Sequence, residues 1–196
     1  MVLGTKVLEE RESKFNGQLR VVRTLGMGTY IQANGLTQSG GIVETFWRFT
    51  LKKLRTKKIK NCLILGLGGG TVAKLVRKLW PEAKITGVEI DPLMIELGEK
   101  YLGLAADKII TKDAYKDFGK FDLVVVDIYC GDEFPEKFED EKFLKRLTKN
   151  KLVIFNRLYY GDKRPQAVKF GRKLEKIFPR VEWVYPEANL MFICYN

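Results

Sequence analysis

The sequence predicts an α/β fold: a seven-stranded, largely parallel sheet that closes with an antiparallel hairpin, preceded by a small N-terminal antiparallel β-layer. Three observations carry this. From residue 61 onward, short apolar runs alternate with helix-like stretches, the pattern of βαβ units. A glycine cluster, Gly66, Gly68, Gly69 and Gly70, lies between the first of these runs and the first helix. The last two runs, Val181–Tyr185 and Leu190–Tyr195, are too close for a helical crossover, so they must pair antiparallel.

The elements follow in order. Residues 1–41 read as short strands, Val7–Glu9, Leu19–Thr24, Tyr30–Ala33 and Leu36–Gln38. Turn signals at Phe15-Asn16-Gly17, Gly26–Gly28 and Asn34-Gly35 separate them. Residues 42–58 predict a helix with a rough apolar stripe of Ile42, Phe46, Phe49 and Leu54. Cys62–Leu65 is the first core strand, and a helix runs from about Thr71 to Trp80. The second strand ends at Glu89, and Asp91 caps a helix over Pro92–Leu102. Lys108–Thr111 is a short third strand, and Phe121–Asp127 is a fourth, apolar enough to be central. A loop over Ile128–Phe138 leads to a helix over Asp140–Lys149, a fifth strand at Leu152–Asn156 and a helix over Pro165–Phe178. Helices are expected between each of the first six core strands. The expected division is a β-layer over 1–41, a basic connecting helix over 42–60 and a nucleotide domain over 61–196.

Composition narrows the chemistry. A chain of 196 residues is one domain, or one domain with a small appendage. It contains no histidine, which excludes Ser-His-Asp and Cys-His schemes and the commonest metal ligand. Cys62, Cys130 and Cys194 have no metal-ligand spacing and read as packing thiols of a reducing compartment. No apolar run approaches the length of a membrane span, and the charged start lacks a signal-peptide core, so a cytoplasmic protein is expected. The net charge is +11 and uneven: residues 1–60 hold 12 Lys/Arg against 4 Asp/Glu, the remainder 23 against 20. The Lys52–Lys60 stretch is the densest cluster. It is either a solvated face or a patch for nucleic acid.

The glycines are spaced G-x-G-x-G, as Gly66-x-Gly68-x-Gly70. The dinucleotide fingerprint would need glycine where Thr71 stands. A helix starting near Thr71 aims its N-terminal amides at the turn. Glu89, at the tip of the second strand, is placed to accept hydrogen bonds from ribose hydroxyls. Asp113 and Asp127 follow the third and fourth strands. Three acids at successive strand tips are hard to explain by packing alone, although Asp113 and Asp127 each also fit a structural role as a turn cap or loop brace.

These features resemble the first motif and fold of class I S-adenosylmethionine (AdoMet) methyltransferases, a Rossmann-like sheet. The N-terminal layer with Asn34, Gly35 and Gln38, the run Val88–Asp91, the strand ending at Asp127 and the closing hairpin with Asn189 resemble the spermidine/spermine synthase superfamily more closely. The resemblance implies that Gln38 contacts the methylthioadenosine part of the ligand, Glu89 the ribose, and Asp113 with Ala114 the adenine. It implies Asp127 beside the reacting centre and a possible homodimer. Aminopropyltransferases carry G-G-G-D-G-G at the glycine turn, where this chain has Gly69 in place of the aspartate. They carry D-[ST]-x-D-P after the fourth strand. Here the second acid is Cys130, with Asp132 two residues on. Their Tyr-His-Glu run corresponds by counting to Trp47-Arg48-Phe49, which puts Trp47, Tyr129 and Asp132 in the expected substrate pocket.

The expected function is a spermidine synthase-like AdoMet-dependent methyltransferase with Asp127 as catalytic or orienting group. Its nucleotide residues are Gln38, Gly66, Gly68, Gly70, Glu89, Asp113 and Ala114. A small-molecule acceptor is expected first, with protein or RNA as alternatives. An aminopropyltransferase using decarboxylated AdoMet is the second reading, and a non-catalytic nucleotide- or RNA-binding module the third. Gly69 is expected to free a backbone amide for the carboxylate of intact AdoMet, and Arg48 to disfavour a cationic acceptor.

Overall fold

The structure, a computed structural model, describes residues 4–196. Its first sheet is an antiparallel meander of β1 (Thr5–Ser13), β2 (Gly17–Thr24), β3 (Gly28–Ala33) and β4 (Leu36–Gly40), paired in sequence order. Leu19, Val21, Ile31 and Ala33 alternate onto one face, as a half-buried sheet requires. β4 runs straight into α1 (Gly41–Lys52).

Helix α1 differs from expectation in its buried face and its length. Val43, Phe46, Trp47, Thr50 and Leu51 are buried, whereas Ile42 and Phe49 are exposed. Positions 43, 46, 47, 50 and 51 form one stripe at the 3.6-residue period, and 42 and 49 lie off it. The helix ends at Lys52, and turns follow to Lys60, with buried Leu54 as their anchor.

The second sheet contains β5 (Asn61–Leu65), β6 (Lys84–Glu89), β7 (Lys108–Thr111), β8 (Leu123–Val126), β9 (Leu152–Leu158), β10 (Arg180–Val184) and β11 (Asn189–Tyr195). Their order is β10-β11-β9-β8-β5-β6-β7. β5 to β9 pair parallel, and β11 inserts antiparallel between β9 and β10. The crossovers carry α2 (Thr71–Leu79), α3 (Pro92–Leu102), α4 (Glu141–Leu147) and α5 (Lys163–Glu175). No helix lies between β7 and β8, contrary to expectation. That connection passes as turns anchored by Tyr115, which stacks on Phe143 with ring centroids 5.7 Å apart. The chain reverses direction across the sheet at β5 and β8, so their carboxyl ends diverge into a crevice.

Helices cover both faces, and β5 and β8 are therefore apolar on both sides. Trp47, Leu51, Val76, Ile85 and Met191 belong to the core on the α1–α2 face. Phe143, Phe155, Phe170 and Phe192 belong to the opposite one. The N-terminal sheet packs on α3 through Ile31, Met94 and Leu97. Asp91 joins the two sheets: it caps α3 at Leu93 N (3.0 Å) and accepts from Asn16 Nδ2 (2.6 Å) and Ser13 Oγ. Among the described residues no helix is long and apolar enough to cross a membrane.

α3 lies directly against the glycine turn. A Cβ on Gly98 would stand 2.6 Å from Gly69 Cα and 2.7 Å from its carbonyl oxygen. Helix propensity alone would make Gly98→Ala more stable by about 1 kcal/mol. Overpacking against backbone predicts the opposite sign, a loss of roughly 1–3 kcal/mol. Urea denaturation measures the sign directly.

Candidate active site

The site is built at the carboxyl ends of β5, β6 and β8. After β5 the chain must turn into α2 while passing under the strand end of β8. A Cβ on Gly66 would sit 2.1 Å from the carbonyl oxygen of Asp127, and its φ is +84°, so only glycine fits. The turn is clasped from two sides. Gly68 N donates to Glu89 Oε2 (2.8 Å) and Gly69 N to Ser39 Oγ (2.8 Å). Thr71, the residue that breaks the dinucleotide fingerprint, accepts from Gly40 N through Oγ1 (2.7 Å). The end of β4 thereby holds the turn against the first sheet.

Glu89 ends β6 and is bound by three backbone amides. Besides Gly68, Ile90 N (2.8 Å) and Asp91 N (3.0 Å) donate to Oε1. Burial pushes its carboxyl upward, and the three amides oppose that shift. Asp113, in the turn after β7, accepts from Tyr115 N (2.8 Å) and pairs with Lys137. It is held below the ordinary carboxylate range: burial acts upward, and the Lys137 and Tyr115 hydrogen bonds outweigh it.

Asp127 follows β8 and is oriented by two uncharged donors. Trp47 Nε1 donates to Oδ2 (2.8 Å), and Asn156 Nδ2 donates to Oδ1 (2.8 Å). Asn156 is fixed in turn by Asn189 Nδ2, which donates to its Oδ1 (2.8 Å). The chain of contacts thus runs from α1 through β8 and β9 to β11. Among the described residues no cation pairs with Asp127. Burial pushes its carboxyl up to about 6, against the Asn156 and Trp47 hydrogen bonds, and the nearby Glu89 charge adds to the rise.

These groups line one cavity of about 240 Å³. Of the expected site residues, Gln38, Gly66, Gly68, Glu89, Asp113, Ala114, Asp127 and Tyr129 border it. Four predicted residues stand elsewhere. Gly70 is the left-handed cap of α2 and packs on Leu104, outside the cavity. Trp47 is fully buried beneath the site and reaches it only through Asp127. Asp132 points to Lys163 (3.3 Å) beside a separate small pocket. Arg48 is exposed on the outer face of α1 and pairs with Glu44.

Gly69 also departs from expectation: its side-chain direction points to Ile31 and Leu102, and its amide is spent on Ser39. It therefore offers nothing to a ligand carboxylate. Cys130 is exposed and lines the cavity, whereas Cys62 and Cys194 are buried, with thiols pushed up by burial. Tyr129 is locked, donating to the Asn156 carbonyl (3.0 Å) and accepting from Leu158 N (3.0 Å). Ser39, Lys112, Lys137 and Asn156 were not legible as site residues. They are single polar residues in loops or strand ends, with no motif of their own.

No family model matches the chain. The chain is 33% identical over 118 residues to a polyamine aminopropyltransferase of Vibrio vulnificus, covering 55% of this chain and 40% of that protein. It is 41% identical over 59 residues to an eEF1A lysine and N-terminal methyltransferase homolog of Drosophila pseudoobscura pseudoobscura, covering 30% of this chain and 9% of that one. The chain thus spans less than half the length of these two relatives. A probable spermidine synthase of Corynebacterium glutamicum superposes with a TM-score of 0.77 at 16% identity, over 100% of this chain and 81% of that one. The sheet order and the carboxyl-edge crevice define a class I methyltransferase fold. With its N-terminal β-layer and closing hairpin, it is the spermidine synthase-like form of that fold.

The elevated Asp127 carboxyl predicts a carbon-13 titration midpoint near 6 by NMR, against about 3.9 for an ordinary aspartate. Because the folded value exceeds the unfolded one, Asp127's contribution to stability is greatest below about pH 4. It is lost as pH rises through 6. Wild type should therefore lose stability relative to Asp127→Asn between pH 4 and 6, and a pH-independent difference would contradict the assignment.

Proposed function

We propose that the chain is an AdoMet-dependent methyltransferase whose acceptor is an amine nitrogen. The carrying observation is the state of the three carboxylates around one cavity. Glu89 is tied to three backbone amides and Asp113 to Lys137, so of the three Asp127 alone meets the cavity without a cation or backbone-amide partner among the described residues. Glu89 and the glycine turn suit the ribose of AdoMet, and Asp113 with Ala114 suits its adenine. Gln38 stands by the same cavity, with its Nε2 on the Gly131 carbonyl (3.2 Å). The names of the two sequence relatives specify amine chemistry, lysine and N-terminal in one and polyamine in the other.

The reaction asks little of the protein beyond placement. The amine lone pair attacks the methyl carbon, the carbon–sulfur bond breaks, and its electron pair stays on sulfur as S-adenosylhomocysteine forms. The nitrogen then releases its proton to water. Asp127 accepts a hydrogen bond from the acceptor N–H and aims the lone pair along the methyl–sulfur axis. In-line placement of this kind supplies much of the rate. Its negative charge also favours the cationic sulfonium. A missing histidine is no obstacle, because the leaving group is already activated.

A polyamine aminopropyltransferase is the second reading, favoured by the relative from Vibrio vulnificus. Decarboxylated AdoMet and a polyamine bring several ammonium groups. A hydrogen bond to a charged group is worth about 1.5–3 kcal/mol, so each absent carboxylate costs roughly 10- to 100-fold in binding. With Asp132 spent on Lys163, the cavity has one uncompensated carboxylate for all of them.

Calorimetry with AdoMet and with decarboxylated AdoMet separates the readings. AdoMet should bind more tightly, and Glu89→Ala should weaken it about 10-fold or more. Tighter binding of the decarboxylated donor would favour aminopropyl transfer. Methyl transfer to amine acceptors should rise with pH along a limb centred near 6, as Asp127 ionises. In Asp127→Asn that limb should vanish and kcat should fall roughly 10- to 100-fold. An unchanged limb would remove Asp127 from the reaction.

A further inference from the structure

The site uses the carboxyl edge of the second sheet, and the opposite edge carries a row of cations. A cation precedes or opens nearly every strand there. In spatial order across the sheet these are Arg180 (β10), Lys151 (β9), Lys120 (β8), Lys60 (β5), Lys84 (β6) and Lys108 (β7). The registers Asn61↔Lys84 and Thr86↔Lys108 set neighbours side by side, and Lys84 N donates to the Lys60 carbonyl (2.9 Å). Strands stand about 4.8 Å apart, so the row from β10 to β7 runs roughly 29 Å. That is close to one turn of a nucleic-acid duplex, about 34 Å. The turns after α1 add Lys57 and Lys58, and Lys57 and Arg180 both lie over the ring of Tyr195.

Apart from exposed Glu82, the acids named here are already committed. Asp122 accepts from Lys60 N (2.7 Å) and pairs with Lys151, and Glu182 pairs with Lys53 (3.3 Å). Asp107 accepts from Ile85 N (2.6 Å) and pairs with Arg77. Among the described residues Lys60, Lys84, Lys108, Lys120 and Arg180 form no ion pair. None of the exposed large apolar side chains lies in the row. A protein partner would be expected to find an apolar anchor there. A phosphate backbone needs only point charges at regular spacing.

We propose that this edge binds the phosphodiester backbone of a nucleic-acid duplex, leaving the cavity at the other end open. The test is fluorescence anisotropy of the whole chain with labelled 20-base-pair RNA and DNA duplexes and with polyglutamate, from 50 to 200 mM salt. The expected result is duplex binding whose log affinity falls with log salt at a slope of about −3 to −5, as for four to six phosphate contacts. The triple variant Lys60→Glu/Lys84→Glu/Lys120→Glu should weaken it about 30-fold or more and flatten the slope. That variant should retain circular dichroism and the thermal midpoint of wild type, which establishes that it folds. A second triple variant on the first sheet, Lys6→Glu/Lys14→Glu/Arg23→Glu, removes equal charge and should weaken binding only a few-fold. Preference for the RNA duplex would identify an A-form reader, and equal binding of RNA and DNA a reader of backbone charge alone. Equal loss in both triple variants, or polyglutamate bound as tightly as the duplexes, would overturn the proposal. None of these readouts depends on methyl transfer.

Discussion

The site depends on the absence of side-chain atoms at one bend. Gly66 passes 2.1 Å, in Cβ terms, from the backbone oxygen that ends β8, and Gly69 lies against Gly98 of α3. Both contacts are backbone to backbone, so neither can yield by changing a rotamer. The close approach brings β5, β6 and β8 to one crevice, and it leaves the turn's amides facing outward to be claimed. Ser39 claims one and Glu89 another. The first sheet is therefore more than an appendage: through Ser39, Gly40, Ser13 and Asn16 it holds both the glycine turn and the start of α3.

Electrostatics then separates three acids that look alike in the sequence. Glu89 faces amides, Asp113 a lysine, and Asp127 only an indole and an amide side chain. Neutral donors orient a carboxylate without cancelling its charge. On the proposed reading Asp127 is the group that responds to a cationic donor and an amine acceptor, and burial brings its ionisation up to about 6. Three acids meet at the carboxyl edge of the sheet, and, among the described residues, a row of lysines without ion pairs opens the strands at its amino edge.

Much of this was legible in the sequence because it rests on local pattern. The apolar runs at Cys62–Leu65 and Leu123–Val126, the capped helix after Asp91 and the hairpin of β10 and β11 all follow from periodicity and turn chemistry. Glu89, Asp113 and Asp127 stand out because acids rarely follow buried strands. What failed depends on orientation in three dimensions. Counting placed Trp47 and Arg48 together in a pocket, but a 100° step on α1 buries one and exposes the other. Gly69 looked like a freed amide because sequence cannot reveal that Ser39, thirty residues earlier, takes it. Asp132 and Gly70 sit near the right motifs yet face Lys163 and Leu104.

The first measurement to make is a crystal structure with S-adenosylhomocysteine bound. The expected result is the ribose hydroxyls within hydrogen-bond distance of Glu89, the adenine beside Asp113 and Ala114, and the sulfur facing the open side of Asp127. A ligand bound away from the glycine turn, or a sulfur directed away from Asp127, would contradict it.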